Sequence, residues 1–208
     1  LLEKQLAVQY ERQRISAEMH DDIGAGLSGI RLMTEMAKMK SKDDETGSEI
    51  EKIYNSVGDI SSKMKEVIWS LNTENDSLGN LLSYLQKQAR QMMENYPGSF
   101  TITIPEQIPD IKIGGETRRH IYLTVKEALH NIIKHSGADK INLVIACAGK
   151  LIIKVSDNGK GMNTGDSSNS GNGLKNMRNR MEQIGGNFSV ENNQGLTLIF
   201  EIPLKPAL

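Results

Sequence analysis

The sequence predicts an α+β protein in two parts, a helical hairpin followed by helices layered on a sheet. Three observations predict it. Apolar residues recur at three-and-four spacing through the first third of the chain, the mark of helices with one buried face. A polar, cap-rich stretch, Asn72-Thr-Glu-Asn-Asp-Ser77, then interrupts the pattern. Beyond it, short β-patterned runs are interspersed with helical ones. At 208 residues the chain has room for two small domains, and the break divides it into 1–76 and 77–208.

In the first part, Ile15, Met19, Ile23, Leu27, Ile30, Met33 and Ala37 form one stripe. A polar break from Lys40 to Ser48, containing Gly47, separates it from Ile50, Ile53, Val57, Ile60, Met64, Val67 and Leu71, whose alternating spacing is that of a coiled-coil seam. Two such helices make an antiparallel hairpin. A hairpin alone leaves much of its stripe wet, so two copies are expected to combine into a four-helix bundle, with Met19, Met33, Met36 and Met64 in its core. The first part therefore reads as a dimerisation domain.

The second part opens with a helix to about Asn95, ended by Tyr96-Pro-Gly98. Strands are expected near 100–104, 141–147, 151–156, 187–192 and 196–202, and helices near 115–135 and 173–185. Two of the strands join at Gly149-Lys150, and the helices fall on one face of the sheet, a two-layer α/β sandwich. On the 115–135 helix, Ile121, Val125, Ala128, Leu129 and Ile132 make the buried stripe.

Composition narrows the function. A formal net charge of −1 carries no electrostatic footprint for nucleic acid or an anionic membrane. The one cysteine, Cys147, excludes an intrachain disulfide framework, suits a reducing compartment and sits in an apolar run that reads as core. No apolar run approaches the roughly 20 residues that span a bilayer. Leu1-Leu-Glu-Lys-Gln-Leu6 begins in helical pattern without a cap, as expected of a piece of something longer.

His20 stands on the flank of the first stripe, followed by Asp21 and Asp22. Surface histidines are ordinarily inert. Here the one-turn neighbours Ser16, Ala17 and Gly24 are small, leaving room for a large partner, and a carboxylate can hold one ring nitrogen protonated while the other attacks. Adjacent helical residues do not face each other, so Asp21 has to reach around. Gly24, Gly26 and Gly29 surrender about 1 kcal/mol each of helix propensity just after the histidine. That loss is expected only if the segment must bend or admit another backbone.

Downstream, Glu127, Asn131, Lys134 and His135 share a second face of their helix. Read blandly they are a solvated face; read functionally, Asn131 offers Mg²⁺ an oxygen and Lys134 or His135 meets phosphate charge. In Asp157-Asn-Gly159-Lys-Gly161 a strand runs into a glycine turn with an acid at its end, able to accept from an exocyclic amine; its bland reading is a hairpin turn. Gly171-Asn-Gly173-Leu174 opens the next helix, whose N-terminus favours anions. There is no G-x-x-x-x-G-K-[ST], and G-x-G-x-x-G fails at Thr164 and at Asn176, which removes the P-loop and Rossmann readings.

Taken in this order, the motifs resemble the catalytic core of a bacterial two-component sensor histidine kinase of the short-hairpin type. Glu11 to Asp22 resembles the phospho-acceptor box, Glu127 to Ser136 the N box, Asp157 to Gly161 and Gly171 to Leu174 the two glycine boxes, and Gly195-Leu-Thr197 the terminal strand element. The resemblance implies that ATP phosphorylates His20, with Asp21 as general base and Glu127 at the phosphate end. It implies Asn131 on Mg²⁺ and Asp157 on the adenine amine, with Lys134, His135, Gly159, Gly161, Gly171, Gly173, Leu174 and Thr197 completing the nucleotide site. It also implies a homodimer, transfer of the phosphoryl group to the receiver aspartate of a response regulator, and a hinge near 72–77. The chain would then be the cytoplasmic portion of a membrane-anchored sensor, without nucleic-acid or membrane contact of its own. One departure is Ala25, where many relatives carry a glutamine or histidine that orients water; weak phosphatase activity is expected. A dimeric ATPase using Glu127 to activate water, a serine kinase and a non-catalytic nucleotide-binding adaptor remain alternatives.

Overall fold

The computed structural model describes residues 2–40, 44–162, 172–192 and 194–204. The chain divides into two compact units, Leu1–Asn75 and Asp76–Leu208.

The first unit is helical. Helix α1 (Leu2–Glu18) passes through a five-residue π turn (Met19–Ile23) into α2 (Gly24–Lys40), and α3 (Asp44–Leu71) returns along them. The pairing is antiparallel. The Ser16 hydroxyl donates to the Ile68 carbonyl at 3.5 Å, Arg31 Nη2 donates to the Tyr54 hydroxyl at 2.7 Å, and Lys38 pairs with Glu51 at 3.1 Å. Helix begins well before Ile15, and α3 begins four residues before the expected end of the polar break.

Val57 and Met64, seven residues apart on α3, are buried between the helices. Ile23, Ile30, Ile53 and Ile60 are half exposed. Within one chain Met33 is 72% exposed and Met36 50%, on the part of the stripe that a second copy is expected to cover. A two-helix hairpin covers only the strip where its helices meet, so the rest of a bundle-sized stripe stays open in one chain.

The second unit is a five-stranded sheet in the order β1-β2-β3-β5-β4, with β1 (Ser99–Thr103), β2 (Lys140–Cys147), β3 (Lys150–Asp157), β4 (Asn187–Asn192) and β5 (Leu196–Pro203). β1 and β2 are parallel and the other pairs antiparallel. The β2–β3 hairpin closes through Ala148 N–H to Lys150 O at 3.0 Å, with Gly149 at φ +72°. Helices α4 (Leu78–Met93), α5 (Gly115–His135) and α6 (Asn172–Gln183) accompany the sheet.

Alternation decides which strand face is buried. Ile141, Leu143, Ile145, Leu151, Ile153, Val155, Leu198, Phe200 and Ile202 are inside, while Lys140, Asn142, Val144 and Lys154 face out. The α5 stripe predicted from the sequence is buried throughout, beside Leu78, Leu81, Leu82 and Leu85 of α4 and Met177 and Met181 of α6. Ser77 caps α4 by accepting from Asn80 N–H at 3.1 Å, which is why the helix starts there. Cys147, expected in the core, is only partly buried at the end of β2, and that burial raises its thiol pKa.

Candidate functional site

In the first unit, His20 and Asp21 lie inside the π turn. The turn is closed by the Gly24 N–H donating to the Met19 carbonyl, five residues back instead of four. His20 Nδ1 and Asp21 Oδ1 are 3.0 Å apart, and the histidine side chain is 76% exposed. Adjacent residues of a regular helix do not face each other, and here the two side chains meet within the turn. A signal for the turn was present in the stripe. Ile15, Met19, Ile23 and Leu27 are spaced by four three times running, longer than the 3.6-residue period of an α-helix, whereas the α3 seam alternates threes and fours.

The glycines after the turn have no packing reason within one chain. A Cβ at Gly26 or Gly29 would meet nothing within 4 Å, and at Gly24 it would sit 3.4 Å from Met64 Cε. Replacing all three with alanine is expected to raise the thermal midpoint, at up to about 1 kcal/mol per site. The same change is expected to slow labelling of His20 by stiffening the helix next to it. Full labelling in a stabilised triple variant would mean the glycines have no part in the reaction.

In the second unit, three predicted residues converge between α5 and α6. Glu127 and Asn131 are half-buried on α5, and Gly173 is the second residue of α6. A Cβ on Gly173 would lie 2.6 Å from Glu127 Oε1 and 3.2 Å from Asn131 Nδ2. The carboxylate and the carboxamide thus stand against the first turn of a helix, where free N–H groups favour anions.

Asp157 ends β3, nearly buried, and its Oδ1 accepts the Gly159 N–H at 2.8 Å. The turn that follows is docked on the end of α5. Lys160 N–H donates to the Ser136 carbonyl at 3.0 Å, and a Cβ on Gly159 would overlap that carbonyl. Asn158 Oδ1 accepts the N–H groups of Asp139 (3.1 Å) and Lys140 (2.9 Å), binding the turn to the start of β2. Gly161 takes φ +67° against the Asn192 side chain. Thr197 pairs with Ser156, one residue before Asp157, and Leu174 is half-buried in the first turn of α6. Lys134 and His135 are exposed in the last turn of α5, and Gly171 lies outside the described residues.

The first unit and the second each match a family model. Residues 11–77 match the model described as "Histidine kinase", and residues 116–206 match "Histidine kinase-, DNA gyrase B-, and HSP90-like ATPase". The chain belongs to the histidine kinases. It is 28% identical over 210 residues to the sensor histidine kinase LiaS of Bacillus subtilis, covering 98% of this chain and 57% of LiaS. It is 24% identical over 184 residues to the sensor protein VraS of Staphylococcus aureus, covering 88% of this chain and 52% of VraS. The chain thus spans little more than half the length of these relatives. Two solved structures share the fold. The histidine kinase domain of the Erythrobacter litoralis EL346 blue-light activated histidine kinase superposes with a TM-score of 0.57 at 19% identity, covering 86% of this chain and 94% of that one. The histidine kinase AdeS of Acinetobacter baumannii gives 0.54 at 16%, covering 90% and 98%.

As a histidine kinase core, the chain has its acceptor candidate in one unit and an ATP-binding fold in the other. The donor set suits ATP with magnesium. The oxygens of Glu127 and Asn131 are the hard donors Mg²⁺ takes when phosphate oxygens supply the rest, and no group of three or more His, Cys, Asp or Glu among the described residues forms a self-sufficient metal cage. Sequence reasoning missed Ser136, Asn158 and Asn192, which shape the glycine turn. Their contacts join positions 18 to 30 residues apart, and no short motif encodes them.

Proposed function

We propose that this chain transfers the γ-phosphoryl group of ATP to His20 and then to an aspartate of a response regulator, as a homodimer. The observation that carries the reading is the His20–Asp21 pair in the π turn, in a unit of histidine kinase type. An imidazole that donates from Nδ1 to a carboxylate keeps its lone pair on Nε2, so Nε2 is the nucleophile. It attacks the γ-phosphorus in line as the bond to the β,γ-bridging oxygen breaks and ADP leaves with that electron pair. The imidazole that has lost its lone pair to phosphorus is cationic, and Asp21 takes up the Nδ1 proton as general base.

Around the nucleotide, Asp157 accepts from the adenine amine through the carboxylate oxygen not engaged by Gly159. Asn131 would hold Mg²⁺, which would supply positive charge at the phosphate oxygens. Glu127 supports the phosphate end, and the first turn of α6 at Gly173 and Leu174 faces the phosphates. Lys134 and His135, exposed beside Asn131, supply positive charge or hydrogen bonds there. Phosphoryl transfer depends on placement more than on covalent help, so residues 72–77 serve as the hinge that brings donor to acceptor. Among the described residues no helix is long and apolar enough to cross a membrane. We read the chain as the cytoplasmic portion of a membrane-anchored sensor.

The decisive test is incubation with γ-labelled ATP and Mg²⁺, comparing the parent chain with His20→Gln. Acid-labile, alkali-stable label that disappears in the variant is the expected result. Label that survives the substitution would identify another acceptor, and phosphate release without labelled protein would mark an ATPase.

A further inference from the structure

We propose that Asn192 is a positioning residue for nucleotide binding, holding the far end of the Asp157–Gly161 turn in its binding shape. The inference rests on the reading of that turn as part of the ATP site.

Asn192 is the last residue of β4, and its backbone pairs with Leu196 of β5. Its carboxamide is turned to Met162, the residue after the glycine turn. Oδ1 accepts the Met162 N–H at 3.2 Å and Nδ2 donates to the Met162 carbonyl at 2.7 Å. This is the two-bond pattern of one strand residue on another, with a side chain in place of the second strand. A carboxamide can do this because it carries a donor and an acceptor side by side; a carboxylate lacks the donor. The approach is so close that a Cβ on Gly161 would overlap Asn192 Oδ1, and Gly161 already takes the left-handed φ of +67° that glycine permits.

The other end of the turn lies close to Gly195, just before β5. Gly195, at φ +123°, passes so near the Asp157 carbonyl that a Cβ would overlap it. The turn thus lies close against the Gly195 backbone at Asp157 and is hydrogen-bonded by the Asn192 side chain at Met162. Neither Asn192 bond reaches the core, because Asn192 is exposed, Met162 is only half-buried and the β4–β5 pairing is made by backbone groups. Losing the carboxamide thus leaves the sheet intact and frees Gly161 and Met162. A ligand must then order those residues as it binds, and that cost lowers affinity.

The test uses Asn192→Ala beside the parent chain, with ADP and Mg²⁺ titrated calorimetrically and amide exchange followed at Met162 and Lys160. The expected result is a Kd for ADP raised about five- to tenfold, as for loss of one or two side-chain hydrogen bonds. Exchange should quicken at Met162, which loses its acceptor, but not at Lys160, whose acceptor is the Ser136 carbonyl. The thermal midpoint should stay within about 2 °C of the parent. An unchanged Kd overturns the proposal. So does a variant that loses protection at Lys160 or unfolds several degrees earlier, since Asn192 would then be holding the fold. A parent chain that binds no ADP defeats the ATP-site reading itself, which is a separate outcome.

Discussion

Gly173→Ala is expected to reduce ATP-driven labelling of His20 by about a hundredfold or more while leaving the protein as stable as its parent. The added methyl would lie 2.6 Å from Glu127 Oε1 and 3.2 Å from Asn131 Nδ2, so these side-chain ends must move. Both are the tips of side chains that can swing aside, and alanine is worth about 1 kcal/mol more than glycine inside a helix, so folding loses little. Activity has no such tolerance. A displacement near 1 Å in groups that place a phosphoryl donor costs on the order of a hundredfold in rate. Gly79→Ala is the matching control: it too is the second residue of a helix, and a Cβ there meets nothing within 4 Å. The Gly79 variant should label like the parent. Labelling of the Gly173 variant within threefold of the parent would separate Glu127 and Asn131 from the phosphate end of the site.

Asp76→Ala is expected to destabilise the second unit by about 2–3 kcal/mol, less than the roughly 3–5 kcal/mol for breaking a fully buried ion pair from one side, because the Asp76 side chain keeps 23% exposure. Arg118 on α5 is fully buried, and its Nη2 donates to Asp76 Oδ1 at 2.6 Å while its Nε donates to the Ile113 carbonyl at 3.2 Å. Backbone bonds run alongside, from Ile113 N–H to the Asp76 carbonyl and from Leu78 N–H to the Ile111 carbonyl. One guanidinium thus ties together the entry to α4, the segment before α5 and α5 itself. Removing the carboxylate takes an anionic partner from a cation buried in the interior. Arg118→Met removes the charge along with its need for a partner, and should cost less than Asp76→Ala. Urea unfolding of the two variants measures the order; equal or reversed losses would show that the carboxylate is not what stabilises the buried cation.

Much of this architecture is legible because it is written locally. The α5 stripe from Ile121 to Ile132 repeats at helical spacing and is buried throughout, and the strands alternate as their two faces require. Ser77 announces the start of α4 by the chemistry of one cap. The glycine turn was legible too, since Asp157, Gly159 and Gly161 are near neighbours in the chain. The start of α3 is less legible, because Gly47 and the polar residues beside it look like a break yet lie within the helix, whose apolar stripe outweighs their weak propensities.

By itself the sequence determined the α+β class, the order of helices and strands, and which residues carry the candidate chemistry. Each of these follows from backbone periodicity or from groups a few residues apart. Only the tertiary structure decided that His20 and Asp21 meet in a π turn, that Gly173 closes on Glu127 and Asn131, and that Asn192 and Ser136 grip the glycine turn. It also decided that Arg118, an ordinary charge in the sequence, is a buried cation held by Asp76. The physical reason is distance along the chain. Local pattern dictates which way a residue points, whereas what it then touches, many residues away, depends on how the elements pack.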